Sequence, residues 1–238
     1  MWSHKETLFD DLFSSVPSAP PAPVVTATAF DDQVLLDWSG LEGVAATESS
    51  NISGYAFQGY NVYQLPSATA TKSEAVRIGT FDVNDGVQTI YGNVFIPEYG
   101  TTVNIPVQYG LDKGVKRQII VSEDWLTGGP LYVGSEYYFA VTAYNYNAAP
   151  DLIEDKALES AAAVQAVVVQ PPPPGTRFES PAGTGIVFTK SGGVSDGQID
   201  GVVVDPDKVT GDTYTVGFAT SVDTNWTEPI WYLSLIHI

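Results

Sequence analysis

Three observations predict an all-β fold of the two-layer sandwich class. Most apolar runs alternate with polar residues at a period of two, which is the pattern of strands buried on one face. Turn-forming residues separate these runs, and the chain has 22 glycines and 16 prolines among its 238 residues. No long helical pattern lies between the runs, which favours antiparallel sheets over a parallel sheet crossed by helices.

Two proline-rich segments divide the chain. Both are expected to be stiff spacers, because proline fixes the backbone φ angle and donates no backbone hydrogen bond. The expected parts, in chain order, are a short helix with a proline-rich linker at 1–22, a sandwich at 23–170, a linker at 171–176, a partial second β domain at 177–232 and an adapter-derived artefact at 233–238.

The strands are predicted from the alternating runs. Those of the sandwich are 24–29, 34–38, 60–63, 75–81, 88–95, 102–107, 117–121, 137–144 and 161–169. Those after the second spacer are 185–189, 201–204 and 213–218. Three strands with an open edge are marginal alone. We therefore expect the second β domain to be truncated, and either loosely held or leaning on the first.

Both ends of the chain differ in pattern from the middle. Ser3 and Glu6 have capping-box spacing, and apolar residues follow them at helical spacing, at Leu8, Phe9, Leu12 and Phe13. A short amphipathic helix is therefore predicted near the start. The last six residues, 233–238, are those that one reading frame of a common sequencing-adapter end encodes, so we interpret them as an artefact.

Several segments resemble the fibronectin type III family. These are PPAP at 20–23, VLLDW at 34–38 and GYNVY at 59–63. The most specific is LYVGSEYYFAVTA at 131–143, which is similar to the family pattern L-x-P-G-T-x-Y-x-F-x-V-x-A, with Val133 in place of the usual proline. The resemblance implies an immunoglobulin-like sandwich in which Trp38 is buried. It also implies that Tyr137 forms a tyrosine corner, a buried ring whose hydroxyl bonds the backbone upstream.

The segment 23–170 is longer than the roughly 100 residues of such a sandwich. The additional residues are expected between Ser67 and Leu126, where predicted strands such as 102–107 would form an inserted hairpin. In overall style the chain resembles modules of long bacterial surface proteins, which implies an extracellular or cell-surface location with the exporting signal outside this chain.

Composition excludes several function classes. The net charge of −18 repels nucleic acids and anionic lipid surfaces. The chain has no cysteine, so disulfides, zinc-thiolate sites and cysteine nucleophiles are excluded. The sequence contains no apolar stretch near the roughly 20 residues that a membrane span needs. The two histidines, His4 and His237, lie near the ends, so a histidine-based triad is not expected.

Carboxylate pairs are the remaining catalytic candidates, since a glycosidase needs two placed acids. They are Asp31 with Asp32, Asp82 with Asp85, and Glu123 with Asp124. Each pair lies at a strand end or a turn, where acidic side chains cap backbone amides, so structural roles are favoured. The segment 82–86 is similar to a calcium loop but misses the D-x-[DN]-x-[DN]-G spacing by one residue. We expect no catalytic residues, no cofactor and no metal.

Aromatic residues leave two interpretations open. They could form a platform on which sugars stack, but filling of the sandwich core is favoured. The residues concerned are Tyr55, Phe57, Tyr60, Tyr63, Tyr132, Tyr138, Tyr144 and Tyr146. The sequons at Asn51 and Asn225 would matter only in a glycosylating host.

The function predicted from these observations is non-catalytic. We expect a structural or interaction module, a spacer or adhesion domain, of a larger secreted or cell-surface protein. The alternative is a carbohydrate-binding accessory domain of a secreted glycan-degrading enzyme. The expected partners are an unidentified protein or glycan and the neighbouring domains of the same chain, with no nucleic acid and no membrane insertion.

Overall fold

The computed structural model describes residues 17–30, 32–149, 155–171, 174–193, 199–220 and 231–237, and gives only the backbone at 217–220 and 231–237. The chain forms two compact units, Met1–Arg177 and Phe178–Ile238. The predicted N-terminal helix, Asp31 and the sequon at Asn225 lie outside the described residues.

The first unit contains thirteen described strands and one described α-helix. The helix, α1, is Leu41–Glu48. The strands are β1 Thr26–Phe30, β2 Gln33–Asp37, β3 Asn51–Ile52, β4 Tyr55–Leu65, β5 Val76–Asp82, β6 Thr89–Ile96, β7 Thr101–Tyr109, β8 Gln118–Val121, β9 Glu123–Asp124, β10 Gly129–Pro130, β11 Glu136–Tyr146, β12 Ala157–Glu159 and β13 Gln165–Val168.

Two antiparallel sheets pack face to face. The smaller has the order β1-β2-β8, and the larger has the order β12-β11-β4-β3, with β13 also on β11 and β5 also on β4. Both sheets contribute to one apolar core, for example Leu36 from β2, Val62 from β4 and Val141 from β11. The prediction of an all-β sandwich is therefore confirmed. The strands β6 and β7 pair only with each other, in the interval where an inserted hairpin was expected.

Two elements differ from the prediction. The helix α1 was not predicted, because it is a single eight-residue connection that contains Gly43 and lacks a clear apolar stripe. The strand predicted at 161–169 is wrong in extent, since β12 precedes it and β13 covers only its second half. Ser160 directly follows β12 at this interruption, and its hydroxyl accepts a hydrogen bond from the Ala143 amide at 3.0 Å.

The core is organised around the ring of Trp38, which directly follows β2 and is 2 % exposed. Its ring lies edge-on to Tyr60, with centroids 5.7 Å apart, and stacks on Phe81 at 6.2 Å. These contacts join the small sheet to both β4 and β5. The indole N–H has no hydrogen-bond partner among the described residues, so Trp38 stabilises the fold through packing.

Tyr137 closes the turn before β11. Its side chain is buried, and its hydroxyl accepts a hydrogen bond from the backbone N–H of Tyr132 at 2.9 Å. The geometry expected for a tyrosine corner is therefore present. The turn is completed by Gly134, whose N–H bonds the carbonyl of Val169 at 2.7 Å and whose φ of 87° favours glycine.

The polypeptide enters the sandwich at one end and leaves it at the other. On the incoming side, the carbonyl of Ser18 accepts a hydrogen bond from Asn145, near the end of β11. On the outgoing side, the amide of Val169 bonds the carbonyl of Ser135, just before β11 begins. Residues 135 and 145 are separated by the length of a ten-residue strand, roughly 30 Å.

The second unit contains two described pairs of strands. The strand β14 Gly185–Ile186 pairs with β15 Gly201–Val202, and β16 Tyr214–Thr220 pairs with β17 Trp231–His237. The adapter origin expected for residues 233–238, most of which lie in β17, stays a prediction. Among the described side chains of this unit, Val203 and Pro206 are buried.

In the described part of the chain, no helix has both the length and the apolar character needed to cross a bilayer.

Replacing Trp38 with alanine should lower the free energy of unfolding by about 3–5 kcal/mol, because a large buried aromatic side chain is lost and a cavity remains. Urea unfolding followed by far-UV circular dichroism measures this change. Trp125→Ala is the matched control, since Trp125 is 50 % exposed and its loss should cost less than about 1 kcal/mol. Equal unfolding midpoints for the two variants would contradict the role given to Trp38.

Candidate interaction surface

Two parts of the first unit pair with neither main sheet, the short pair β9–β10 and the longer inserted hairpin. The hairpin consists of β6, β7 and the turn between them, residues 89–109, and we call it the arm. A two-stranded hairpin is marginal in water unless something else holds it. The contacts at its base therefore decide whether the arm keeps one conformation.

The register of the arm gives it two distinct faces. Ile90 is opposite Gln108, and both are buried. Val107 forms a β-bulge, after which Tyr91 is opposite Pro106. Because side chains alternate along a strand, the opposite side carries a second set of residues, which we call the outer face. The outer face consists of Thr89, Tyr91, Asn93, Phe95, Thr102, Asn104, Pro106 and Tyr109.

A reciprocal pair of side-chain amides holds the base of the arm. The Nε2 group of Gln108 donates to Oδ1 of Asn61 at 3.0 Å, and Nδ2 of Asn61 donates to Oε1 of Gln108 at 3.2 Å. Asn61 lies on β4 and is fully buried, while Gln108 is 5 % exposed. Breaking this pair would remove two buried hydrogen bonds, each of which contributes about 0.5–1.5 kcal/mol.

Asn61 also connects the arm to the strands beside β4. Its Oδ1 accepts a second hydrogen bond from the Thr80 hydroxyl of β5 at 2.9 Å. Its Nδ2 donates to Oε1 of Glu159, on β12, at 3.2 Å. The arm is thus fastened to a polar cluster on the face of the large sheet that does not meet the small sheet.

Glu159 is the anion of this cluster. It accepts hydrogen bonds from Tyr63 at 2.8 Å and from Thr142, and it forms an ion pair with Lys72. Burial alone would raise the pKa of the Glu159 carboxyl, but the donors around it outweigh burial and hold that pKa below its usual value. Burial and the neighbouring Glu159 charge raise the pKa of the Tyr63 phenol. Both groups keep their ordinary charge states near neutral pH.

Asp82 fixes the chain where it leaves the arm. Its carboxylate is buried and accepts hydrogen bonds from the amides of Leu111 at 3.0 Å and Asp112 at 2.9 Å. Gly110 precedes them, and a Cβ there would lie 1.8 Å from Oδ2 of Asp82. A residue without a side chain is therefore required at 110.

The segment 82–86, considered above as a calcium loop, is a turn held by side chains. The amides of Asp85 and Gly86 donate to Oδ1 of Asp112 at 2.8 and 2.9 Å. The carboxylate of Asp85 accepts from Nε2 of Gln58 and from the Val87 amide. Within the described ranges, no group of three acidic or histidine side chains could hold a metal ion.

The side chains of Glu123 and Asp124 lie in different environments. Glu123 is exposed and Asp124 is buried on the adjacent position of β9. Burial opposes ionisation of Asp124, but hydrogen bonds outweigh it and hold the pKa of this carboxyl below its usual value. Their donors include Thr127 at 2.6 Å and Gln64 at 2.7 Å. Asp124 therefore caps the loop after β9. In the pair Asp31 and Asp32, the described residue Asp32 is exposed in the turn between β1 and β2.

The eight aromatic residues singled out in the sequence do not form one platform. Tyr55, Tyr60, Tyr63 and Tyr144 are buried, as the core interpretation favours. The ring of Phe57 is half-buried and packs 5.0 Å from Tyr60. The remaining three lie at different places on β11 and the turn before it, and they are Tyr132, Tyr138 and Tyr146.

The exposed aromatic residues of the arm are those that the sequence did not single out. Tyr91 is 51 % exposed, Phe95 is 59 % exposed and Tyr109 is 51 % exposed, and these three lie on the outer face. Tyr99, which is 76 % exposed, lies in the turn between β6 and β7. A signal was present, since Glu98 is the only charged residue between 87 and 111 in a chain of net charge −18. The outer face is therefore an aromatic and uncharged surface on an acidic protein.

A hollow lies between β5 and β8. Its volume is about 240 Å³, and it is lined by Ile78 of β5, by Ile119 and Val121 of β8, and by Trp125. The polar groups at its rim are those of Ser122 and Glu123. Since few polar groups converge there, the outer face of the arm is the stronger candidate for recognition.

Replacing Gly110 with alanine should lower the free energy of unfolding by about 2–4 kcal/mol, because the new Cβ displaces a buried carboxylate from its amide donors. Chemical denaturation of the full chain measures the loss. Gly129→Ala is the control, since a Cβ at 129 would meet only the Tyr132 hydroxyl at 4.0 Å. A Gly110→Ala protein as stable as the control would disprove the contact.

Glu159→Gln should reduce stability near pH 7 by about 1–3 kcal/mol, because hydrogen bonds to a charged acceptor are lost. The folded-state pKa of Glu159 is lowered, so its contribution is full above the ordinary pKa of about 4.3 and is lost as the pH falls through the folded pKa. Urea titrations at a series of pH values should show the two proteins converging below pH 4. Glu98→Gln, at the exposed turn of the arm, should give a pH-independent difference near zero.

No family model, no curated protein and no solved structure matches the chain. The function proposed for the arm and the sandwich accordingly depends on their own geometry and charge.

Proposed function

We propose that the chain is a non-catalytic structural and interaction module from a larger exported protein, with a fibronectin type III-like sandwich as its rigid part. This proposal rests on the path of the polypeptide through the sandwich. The chain reaches the sandwich beside Asn145 and leaves it beside Ser135, at opposite ends of β11. Modules with this geometry extend a chain when they are joined in series, which is the property that a spacer needs.

Features of the core support the fibronectin type III assignment. A tryptophan follows the second strand and is buried between the sheets, as the resemblance implies for Trp38. The hydroxyl of Tyr137 is bonded to upstream backbone. The three strands β1, β2 and β8 face a sheet in which β5, β4 and β11 are neighbours, so both layers are formed by strands distant in sequence.

The roles of the acidic side chains support a non-catalytic module. Asp82, Asp85 and Asp124 each accept hydrogen bonds from backbone amides. Glu159 accepts side-chain hydrogen bonds and an ion pair. Carboxylates used in this way maintain loops and strand contacts, which is the commoner role of aspartate at turns.

The arm supplies the interaction part of the proposal. Its outer face exposes rings at Tyr91, Phe95 and Tyr109 although the base is fastened at Gln108 and Asp82. Exposed aromatic surface on a fixed support is typical of recognition sites. An extracellular or cell-surface location is part of the same proposal, since a spacer module with a recognition arm is useful where a protein reaches outward.

A second candidate is a carbohydrate-binding accessory domain of a secreted glycan-degrading enzyme. The observation that favours it is again the uncharged aromatic outer face, because flat rings can stack on the apolar faces of sugars. The two candidates share a surface and differ in the domain that accompanies it. The sequence of the parent protein on either side of this chain would distinguish them.

Pulling the full chain between residues 18 and 170 tests the spacer proposal. The native chain has no cysteine, and both positions are exposed, so the Ser18→Cys/Gln170→Cys variant can carry handles for optical tweezers. We expect a cooperative rupture that releases about 150 residues, roughly 500 Å of extended chain.

The same tethered protein with Trp38→Ala is the control, and it should rupture at a lower force because the contacts between the sheets are weaker. Gradual extension without a distinct rupture, in the protein that retains Trp38, would refute the spacer proposal.

A further inference from the structure

We propose that the outer face of the arm binds an uncharged polysaccharide, which stacks on Tyr91 and Phe95 and forms hydrogen bonds with the amides between them. This inference rests on the proposed interaction function of the arm and names the chemical class of its ligand. Its basis is the position of the rings, the position of the amides and the distribution of charge.

The rings are placed along one line of the arm. Tyr91 and Phe95 are four residues apart on β6 and therefore point to the same side, separated by roughly 13 Å. Each is more than half exposed. Tyr109, opposite Thr89, continues the same face toward the base. Rings spaced in this way can contact successive units of an extended polymer rather than one small molecule.

Amide groups lie between the two rings. Asn93 is opposite Asn104 in the ladder, and Nδ2 of Asn104 donates to Oδ1 of Asn93 at 3.0 Å. An amide oxygen has two lone pairs and an amide nitrogen has two hydrogens, so the pair keeps further capacity for donors and acceptors on a ligand. Sugars match this pattern, because their ring faces are apolar and their edges carry hydroxyls.

The distribution of charge on the protein favours an uncharged ligand. Glu98 is the only charged residue between 87 and 111, whereas the chain as a whole carries a net charge of −18. An anionic polymer would be repelled by the protein as a whole, and a second copy of the chain would carry the same repulsion. A cationic ligand would find its counter-charges away from the rings. A neutral polymer gains stacking and hydrogen bonds without an electrostatic penalty.

The β7 edge of the arm is poorly suited to binding a partner by adding a strand. Pro106 lies within β7 and removes a backbone donor, and the bulge at Val107 interrupts the regular ladder. Both features discourage pairing of an extended peptide with that edge. Recognition by side chains of the outer face is therefore favoured over recognition by backbone.

Affinity gel electrophoresis of the full chain tests this inference. Native gels would contain hydroxyethylcellulose, xylan, laminarin or galactomannan as neutral polymers, and polygalacturonate as the anionic comparison. We expect at least one neutral polymer to retard the protein and polygalacturonate to leave its mobility unchanged. Tyr91→Ala and Phe95→Ala should each weaken retardation by about fivefold or more, since an aromatic stacking contact is lost.

Tyr132→Ala is the matched control, because Tyr132 is 62 % exposed but lies outside the arm. It should leave retardation unchanged, and all three variants should keep the melting temperature of the parent chain. The inference is overturned if no neutral polymer retards the protein, or if a Tyr91→Ala/Phe95→Ala double variant is retarded as strongly as the parent chain. Those results leave the spacer proposal intact, since the tethered protein tests it separately.

Discussion

The architecture depends on one buried polar contact, the reciprocal amide pair between Asn61 and Gln108. Asn61 lies in the middle of β4, on the face of the large sheet that does not meet the small one, and it is fully buried. A buried amide without partners is costly, so that face needs a cover that supplies donors and acceptors. The arm supplies Gln108, β5 supplies Thr80 and β12 supplies Glu159. The inserted hairpin is therefore part of the fold's hydrogen bonding as well as an addition to its surface.

The two faces of the large sheet are stabilised by different interactions. Toward the small sheet, Val62 and Val141 join the core around Trp38, and this face is held by apolar packing. On the opposite face, Asn61 and Thr142 are fully buried yet polar, and this face is held by hydrogen bonds that end at Glu159. Packing tolerates small changes in shape, whereas a polar cluster requires each partner to be present. The position of the arm is set by the polar cluster, through the hydrogen bonds between Gln108 and Asn61.

This difference explains how much the sequence could predict. Alternation located β2, β5, β6 and β11 to within two residues, because each has a face that is apolar or a pattern close to period two. It found only the middle of β4, since Gln58 and Gln64 are buried polar residues that read as exposed ones. The partners of Asn61 could not be found, because a hydrogen bond between residues 47 positions apart leaves no local pattern. The outer face was missed for a related reason, since aromatic residues in a strand resemble core residues until the strand is known to lie outside the sandwich.

The contacts that hold the base of the arm are separate from its exposed outer face. A free two-stranded hairpin would be marginal, but here Gln108 and the Asp82 contacts with Leu111 and Asp112 hold the C-terminal end of β7 at the base of the arm. None of these contacts uses a side chain of the outer face. Substitutions at Tyr91 or Phe95 can therefore change the outer face while the base keeps its position. A surface that can change without loss of the fold leaves the exposed side chains of the arm free to vary on a fixed framework.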